Sequence, residues 1–273
     1  MIKLIAIDLD GTLLNDEKEI TDKTEAVLKE AKRRGVKVVL CTGRPLLGIA
    51  RYLDQLGLRA DGDYGITYNG GLVQKTDTGD VLSEKVLTKE DLVSLYGLSQ
   101  RLNVPMNFID LERVYTPAPP EGRPSLYGDI MKALPFVETT IDDLPEDIKI
   151  NKALFCTDQP ILDEAIRHIP DAFFDKYTMM KSRPILLEIL NKEVDKGKGL
   201  QALGVSLGIK REEMMALGDQ ENDLAMIHFA GLGVAMGNAI DEVKKAAQFI
   251  TKTNLEDGVA YAVEKFVLNA STG

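Results

Sequence analysis

Short apolar runs alternate with amphipathic segments in the first part of the chain, and this alternation predicts a series of βαβ units. Apolar runs at 4–7 and 36–41 predict two buried strands, and helical periodicity predicts a helix over 22–34. A proline in the first turn favours a second helix over 45–57. Continuous apolar strands that alternate with helices indicate a parallel sheet with both faces covered.

The pattern changes character after about residue 84 and returns in the C-terminal third of the chain. The proline-rich stretch 117–124 predicts a surface loop rather than a domain linker, because patterned segments resume on both sides of it. The remaining predicted helices are 88–102, 161–169, 198–207, 222–229 and 258–269, and the remaining predicted strands are 66–68, 152–157, 185–190, 214–217, 231–236 and 248–251.

The return of the α/β pattern predicts that one domain is made of both chain ends. We expect this domain over 1–83 plus 189–273, with a second domain inserted at 84–188. A chain of 273 residues is near the length at which a single core gives way to two domains, so this division is reasonable on size alone.

Composition narrows the classes of function. The net charge is −10, so the surface repels phosphate backbones and nucleic-acid binding is disfavoured. No apolar stretch approaches the roughly 18 residues of a membrane span, and the two cysteines are too few for a disulfide framework. We expect a cytoplasmic protein with no nucleic-acid or membrane partner, whose local cations and backbone N–H groups can still bind a small anionic substrate. A homodimer is compatible with the sequence.

Polar clusters follow the predicted strands at several strand–helix junctions. Asp8 and Asp10 come directly after the first strand, and an extended chain sends both side chains to the same side. Two carboxylates held so close repel each other unless a cation neutralises them. Ligands of parallel sheets bind beyond the carboxyl ends of the strands, so we expect the clusters to meet there. The other clusters are Cys41-Thr42-Gly43-Arg44, Asp195-Lys196-Gly197-Lys198-Gly199 and Gly218-Asp219-Gln220-Glu221-Asn222-Asp223.

These residue types predict phosphoryl transfer. Asp8 can act as a nucleophile that forms an aspartyl-phosphate, while the Asp10 side chain protonates the leaving oxygen and later deprotonates water. Mg²⁺ prefers a few carboxylates, a carbonyl and retained waters, which predicts Asp8, Asp219 and the Asp10 carbonyl as its ligands. Thr42 and nearby backbone N–H groups are predicted to hold the phosphoryl oxygens, and Lys196 supplies positive charge to them.

Several neighbours have two interpretations each. Asp223 is predicted at the metal site and, with Asn222, can orient Lys196 or a water of the metal. Asp223 can instead be an acid that the helix dipole favours. Thr42 can cap the following helix as well as hold phosphate, and Arg44 can contact substrate or pin its loop by pairing with a carboxylate.

The sequence assigns roles to the candidate substrate-binding residues less clearly than to the carboxylates. Asn69 and Gly70 indicate first a turn at a strand end and second a substrate contact. Glu188 and Arg183, near the strand that returns to the first domain, are candidates for recognising substrate hydroxyls, although a surface role suits Arg183 better. The full predicted substrate-binding set is Thr42, Gly43, Arg44, Asn69, Gly70, Lys196, Asn222 and Glu188.

The motifs taken together resemble those of the haloacid-dehalogenase-like phosphatases. The resemblance lies in Asp8–Leu14, Thr42–Arg44, Lys196–Gly197 and Gly218–Asp223, and no motif residue is missing. Three further segments resemble the Cof-type subfamily, and the resemblance covers the whole chain. These segments are Tyr68-Asn69-Gly70, Leu187-Glu188-Ile189 and Ala235-Met236-Gly237-Asn238-Ala239.

The resemblance implies a fold, a cofactor and a substrate class. The implied fold is α/β, with a Rossmann-like, doubly wound parallel-sheet core and an inserted, mobile α/β cap of the C2 type that selects the substrate. The implied chemistry is hydrolysis of small phosphorylated metabolites, foremost sugar phosphates, with Mg²⁺ as cofactor.

Two other functions would use the same residues. A sugar-phosphate phosphotransferase or mutase would pass the phosphoryl group to a second hydroxyl instead of water, and closure of the cap would decide between them. A signalling module phosphorylated on Asp8 needs no lid to exclude water, so the inserted domain argues against it.

Overall fold

The computed structural model describes residues 1–269 and divides them into two compact units. The first unit contains Met1–Glu84 and the described residues from Asp195 onward, and the second contains Lys85–Val194. The second unit extends beyond the expected end at 188, because the strand Leu186–Asn191 pairs with two neighbours in that unit's sheet. None of the helices within residues 1–269 is both long enough and apolar enough to cross a bilayer.

The regular elements follow one another along the chain in three stretches. The first unit begins with β1 (Leu4–Ile7), α1 (Asp22–Arg33), β2 (Lys37–Cys41), α2 (Ala50–Leu56), β3 (Tyr64–Thr67), β4 (Leu72–Lys75) and β5 (Val81–Glu84). The second unit consists of α3 (Lys89–Leu102), β6 (Met106–Ile109), β7 (Val114–Thr116), α4 (Tyr127–Ile130), β8 (Phe136–Glu138), β9 (Lys152–Cys156), α5 (Gln159–Arg167), α6 (Asp171–Lys176), β10 (Tyr177–Arg183) and β11 (Leu186–Asn191). The first unit resumes with α7 (Lys196–Leu207), β12 (Met214–Gly218), α8 (Leu224–Phe229), β13 (Leu232–Ala235), α9 (Asp241–Ala246), β14 (Phe249–Ile250) and α10 (Gly258–Val263).

An eight-stranded sheet forms the centre of the first unit, in the order β14-β13-β12-β1-β2-β3-β4-β5. The strands from β14 to β3 are parallel, as predicted from their apolar runs. The chain adds strands on one side of β1 and later on the other, so the strand order reverses between β1 and β12. Ligands of open α/β sheets bind at such a reversal, where the connections leave in opposite directions.

The hairpin of β4 and β5 was not predicted from the sequence. Both strands are antiparallel to their neighbours and continue the sheet beyond β3. Each is four residues long and starts with only two apolar residues, so neither gives a clear periodic signal.

Local signals set the ends of α1. The Thr21 hydroxyl accepts a hydrogen bond from the N–H of Thr24 at 3.2 Å, which satisfies one of the unpaired donors of the first turn. Lys32 and Arg33 lie in the last turn, where positive charge favours the helix dipole. The helix buries Val27, Leu28 and Ala31 against the sheet's apolar core.

A six-stranded sheet forms the second unit, in the order β10-β11-β9-β6-β7-β8. Its strands are antiparallel except for the β7–β8 pair. One face of this sheet lies in the unit's own apolar core, to which Phe108, Phe155 and Ile189 contribute. The sequence predicted β9 and β11 but not β6, β7, β8 or β10, which are short or carry polar and apolar residues without strict alternation.

Candidate active site

Three carboxylates come together at the carboxyl ends of β1 and β12. Parallel pairing places Ile7 beside Leu217, and the N–H of Asp8 donates to the Leu217 carbonyl at 3.1 Å. The residues that follow each strand therefore emerge next to each other. Carboxylate oxygens of Asp8, Asp219 and Asp223 lie within 4.8 Å of one another, and all three residues are buried.

A single buried ammonium group bridges two of these carboxylates. Lys196 is fully buried, and its Nζ donates to Oδ1 of Asp8 at 2.6 Å and to Oδ1 of Asp223 at 2.7 Å. Lys196 is the first residue of α7, and the side chain of Asp195 caps this helix by accepting from the N–H of Lys198 at 2.7 Å. The side chain of Lys198 is 55% exposed, so the structure places Lys196 in the cluster and Lys198 at the surface.

Asp223 is held by hydrogen bonds at both carboxylate oxygens. One oxygen accepts from Lys196, and the other accepts from the backbone N–H groups of Asp219 and Gln220 at 2.8 and 3.0 Å. This arrangement fixes the loop after β12 and aims Lys196 at Asp8. The geometry therefore supports the predicted role of Asp223 in orienting Lys196, whereas direct metal ligation by Asp223 would have to compete with these hydrogen bonds.

Asp219 is oriented by two donors to which the sequence assigned no role. The Thr12 hydroxyl donates to Oδ1 of Asp219 at 2.9 Å, and the side-chain amide of Gln220 donates to Oδ2 at 3.1 Å. Thr12 and Gln220 both belong to the motifs quoted above. Each has a side-chain donor close in sequence to a carboxylate, and this was the signal in the sequence that could have identified them.

Burial and the charges of neighbouring groups shift the pKa values of the side chains in this cluster. Burial raises the pKa of Asp8, and the neighbouring Asp223 raises it further, so that Lys196 only partly offsets these effects. Burial and Asp223 also raise the pKa of the Asp219 carboxyl. Burial would lower the pKa of Lys196, but the Asp223 and Asp8 carboxylates raise it well above its usual range. The Lys196 ammonium therefore stays charged.

The donor set fits a small divalent cation. Three ionised carboxylates and one ammonium leave two uncompensated negative charges, and carboxylate oxygens are the ligands that Mg²⁺ prefers. A cation of charge +2 among these oxygens would remove the cost that burial imposes on the ionised forms of Asp8 and Asp219. The side chains present are therefore suited to Mg²⁺.

Gly11 allows the loop after β1 to approach Asp219 closely. It has a φ of +84°, and a Cβ atom at this position would lie 2.4 Å from Oδ2 of Asp219. We expect Gly11→Ala to strain the backbone by about 1–2 kcal/mol and also to displace the carboxylate. The matched control is Gly79→Ala, because Gly79 has a φ of +79° and open space around the added atom.

Gly11→Ala and Gly79→Ala should have similar backbone strain but different enzymatic activities. Thermal denaturation and phosphate-release rates measured on both would separate the effects. We expect a moderate loss of stability in each and a large loss of activity in Gly11→Ala alone. Equal activities would contradict the importance of the close approach to Asp219.

Asp10 lies in a different environment from Asp8. Its side chain is 45% exposed and pairs with Arg44 at 2.7 Å and with Lys18 at 3.0 Å. Burial alone would raise the pKa of Asp10, but the charges and hydrogen bonds of Arg44 and Lys18 outweigh it and lower the pKa. The Asp10 side chain is thus an ionised partner of Arg44 in this conformation, and it lies outside the group of three carboxylates suited to a metal. This is the carboxylate pairing that the sequence left open for Arg44.

The loops after β2 and β3 meet beside this cluster. The Thr42 hydroxyl accepts from the N–H of Arg44 at 3.2 Å, so Thr42 stabilises its own turn, whereas the helical turn after Pro45 begins without a side-chain cap. A Cβ atom at Gly43 would lie 3.0 Å from the side-chain amide of Asn69, and Asn69 accepts from the side chain of Asn222 at 3.2 Å. The structure therefore brings Gly43, Asn69 and Asn222 together.

Gly70 connects this region to the start of α7. Residues Tyr68, Asn69 and Gly70 all have positive φ, a strained turn of the kind found at functional sites. A Cβ atom at Gly70 would lie 2.1 Å from the carbonyl oxygen of Asp195. Glycine is thus required for the turn to pack against the residue that precedes Lys196.

Glu188 lies on β11 in the second unit and is paired there. Its carboxylate accepts from Nζ of Lys152 at 2.6 Å, and both side chains are buried. Burial would lower the pKa of Lys152, but the charge of Glu188 raises it. Arg183 lies at the exposed end of β10. Sequence reasoning missed Lys152, whose position at the start of an otherwise apolar strand was the available signal.

Comparison with known proteins gives consistent matches over the whole chain. A family model described as haloacid dehalogenase-like hydrolase matches residues 5–263. The "Putative phosphatase YxeH" of Bacillus subtilis is 48% identical over 98% of this chain and 99% of its own length. The 5-amino-6-(5-phospho-D-ribitylamino)uracil phosphatase YcsE of the same organism is 33% identical over 98% of this chain and 96% of its own length. The solved structure of the sugar phosphatase BT4131, of subclass IIB of the superfamily, is similar with a TM-score of 0.77 and 25% identity, covering 97% of this chain and 98% of that one.

Proposed function

This chain belongs to the haloacid dehalogenase-like hydrolases and is a phosphatase of the Cof type, and from this premise we propose its substrate and mechanism. The substrate is a small phosphorylated metabolite, foremost a sugar phosphate. The reaction proceeds through an aspartyl-phosphate on Asp8, with Mg²⁺ as cofactor.

The contact between Lys196 and Asp8 is the observation that carries the proposal. A buried ammonium group 2.6 Å from a buried carboxylate oxygen holds the nucleophile in one orientation and places positive charge where phosphoryl oxygens would lie. Such a fixed charge in a site with little water stabilises the developing negative charge without reorganisation. A lysine that served only as a surface charge would be exposed, whereas Lys196 is fully buried.

The proposed reaction has two chemical steps. A carboxylate oxygen of Asp8 attacks phosphorus, the bond from phosphorus to the ester oxygen breaks, and Asp10 donates a proton to the departing oxygen. Asp10 then removes a proton from a water molecule, which attacks phosphorus, releases inorganic phosphate and restores the Asp8 carboxylate. Because Asp10 is ionised while it pairs with Arg44, its side chain must exchange this contact for the ester oxygen and take up a proton from solvent before the first step. The proton that Asp10 later removes from water leaves it protonated for the next cycle. We infer that Arg44 holds Asp10 in the resting enzyme and that Thr42 contacts the phosphoryl group.

Asp8, Asp219 and the backbone carbonyl of Asp10 are the proposed metal ligands, and Asp223 supports them by orienting Lys196 and the loop that carries Asp219. When bound, Mg²⁺ would offset the negative charge shared by the carboxylates and the phosphate. The raised pKa of Asp8 is consistent with a site that is completed by a cation.

The substrate class rests on the relatives and on the second unit. One relative acts on a phosphorylated ribityl chain and one solved neighbour is a sugar phosphatase, so both names describe phosphate esters of polyhydroxylated carbon chains. We propose that the second unit is the specificity cap, and that Glu188 helps to recognise substrate hydroxyl groups.

Phosphate release from a panel of metabolites tests the proposed function. The panel contains sugar phosphates, a ribityl phosphate and an aryl phosphate, each measured with Mg²⁺ and with a chelator. We expect hydrolysis of sugar phosphates that is lost on chelation and restored by Mg²⁺. Transfer of the phosphoryl group to a second sugar would identify a mutase instead, and full activity in the chelator would contradict the assigned cofactor.

Asp10→Asn tests the proton-transfer role. General acid–base catalysis contributes about 10²–10⁴-fold, so we expect a loss of this size with alkyl phosphates. An aryl phosphate needs little protonation of its leaving group, so Asp8 should still become phosphorylated and the intermediate should accumulate.

Rapid-quench labelling of the variant with an aryl phosphate provides the measurement. Asp77→Asn is a suitable control, because it makes the same chemical change at an exposed position of the turn between β4 and β5. Unchanged steady-state rates together with no accumulated phospho-enzyme would contradict the role of Asp10.

A further inference from the structure

A concave site lies entirely within the second unit. It is a cavity of about 530 Å³ between the end of α3, the loop before α4 and one side of α5. Small-molecule sites usually have volumes of about 300–1,000 Å³, so this cavity is large enough for a metabolite. Its apolar lining is formed by Leu102, Pro160, Ile161 and Ala165.

Two arginine side chains without partners line this cavity. Within residues 1–269, neither Arg101 nor Arg123 makes a hydrogen bond or an ion pair through its guanidinium group. Most other arginines do pair, although the protein has 43 acidic residues for 33 basic ones. Those that pair with carboxylates are Arg33, Arg34, Arg44, Arg59, Arg113 and Arg167.

The acidic residue at the cavity does not neutralise these arginines. Glu164 lines the cavity, but its carboxylate pairs with Arg167 of the same helix, and His168 lies within 3.4 Å of it. The cavity is therefore lined by two arginines whose guanidinium groups pair with no carboxylate of the described residues and by four apolar or small residues. Guanidinium groups bind phosphate oxygens through paired N–H donors, and apolar surface accepts a hydrocarbon or aromatic group.

We propose that this cavity binds a small organic phosphate, with the phosphate between Arg101 and Arg123 and an apolar or aromatic part on the lining formed by Leu102, Pro160, Ile161 and Ala165. The residues of this site all belong to the second unit and include none of the Asp8 cluster. It does not depend on the reaction proposed for Asp8.

Isothermal titration of the full chain with phenylphosphonate tests the proposal. This probe combines a phosphate-like dianion with an aromatic ring, and its carbon–phosphorus bond is not a phosphate ester. The test variant carries Arg101→Ala and Arg123→Ala together. The control carries Arg33→Ala and Arg34→Ala, which removes the same charge from α1, outside the cavity.

We expect the wild type and the control to bind one more equivalent of phenylphosphonate than the test variant. Phosphatase activity should be the same in all three proteins, and inorganic phosphate should bind this site at least about tenfold more weakly because it lacks the ring. Equal stoichiometry in wild type and test variant would overturn the site. Equal affinity for inorganic phosphate and phenylphosphonate would overturn the assignment of an organic ligand. The stoichiometry and the affinities are measured by binding, so both results would stand even if the protein had no phosphatase activity.

Discussion

Replacing Asp8 with asparagine is expected to abolish turnover while the fold is retained. The amide keeps the shape of the side chain, but it is a far weaker nucleophile and cannot form the acyl phosphate, so activity should fall by at least about 10³-fold. Burial disfavours the ionised Asp8 carboxylate, so removing its charge should not lower the melting temperature greatly. Phosphate release, rapid-quench detection of phospho-enzyme and thermal denaturation together test this expectation.

The control for this variant is Asp16→Asn, which makes the same change at an exposed position in the loop after β1. It should retain the activity of the wild type. Substantial turnover in an Asp8→Asn preparation free of wild-type protein would mean that water attacks the phosphate directly. In that case the proposed nucleophile would be wrong, even if the protein remained a phosphatase.

Lys196→Met should abolish activity and also destabilise the fold. Removing the ammonium leaves the Asp8 and Asp223 carboxylates buried without their partner, and breaking a buried ion pair in this way costs about 3–5 kcal/mol. Loss of the positive charge should also raise the pKa of Asp8 further. Above the ordinary pKa of an aspartate, the Asp8 carboxyl is then protonated in the native state but ionised in the unfolded state. The native state binds more protons, so the free energy of unfolding should fall as the pH rises.

Urea denaturation at pH 5 and pH 8 measures this effect, and the deficit of Lys196→Met relative to wild type should be larger at pH 8. Lys198→Met is the matched control, because Lys198 lies two positions away on α7 with its side chain 55% exposed. A surface change of this kind should stay within about 0.5 kcal/mol of the wild type. If both variants lost the same stability, the buried bridge would have no special role.

The parallel part of the first unit could be predicted because its strands carry continuous apolar runs. β1 and β12 are buried along their whole length, and the polar residues that follow them stand out against these runs. The hairpin of β4 and β5 and most strands of the second unit lack this contrast. These strands are held by pairing with their neighbours in the sheet, such as β4 with β3 and β8 with β7, and the apolar pattern of a single short strand does not record this pairing.

The composition of the candidate site was more accessible to sequence reasoning than its contacts. Motif spacing singled out Asp8, Asp219 and Lys196, because each follows a strand or opens a helix at the same edge of the sheet. It could not show that Asp10 pairs with Arg44 and Lys18, since Lys18 contributes through a left-handed turn outside any motif. The cavity between Arg101 and Arg123 depends on tertiary packing and has no signature in the sequence.

The pairing of β1 with β12 has a consequence for synthesis on the ribosome. Lys196 lies 188 positions after Asp8, so the N-terminal strands emerge long before the strand and the lysine that complete their sheet. Until then, β1 has an unpaired edge, and an apolar edge of this kind is prone to association with other chains. The second unit draws all its strands from one continuous segment, so it can fold first. We therefore expect nascent chains released before residue 195 to contain a folded second unit but to require chaperones, and catalytic competence to arise only after synthesis of β12.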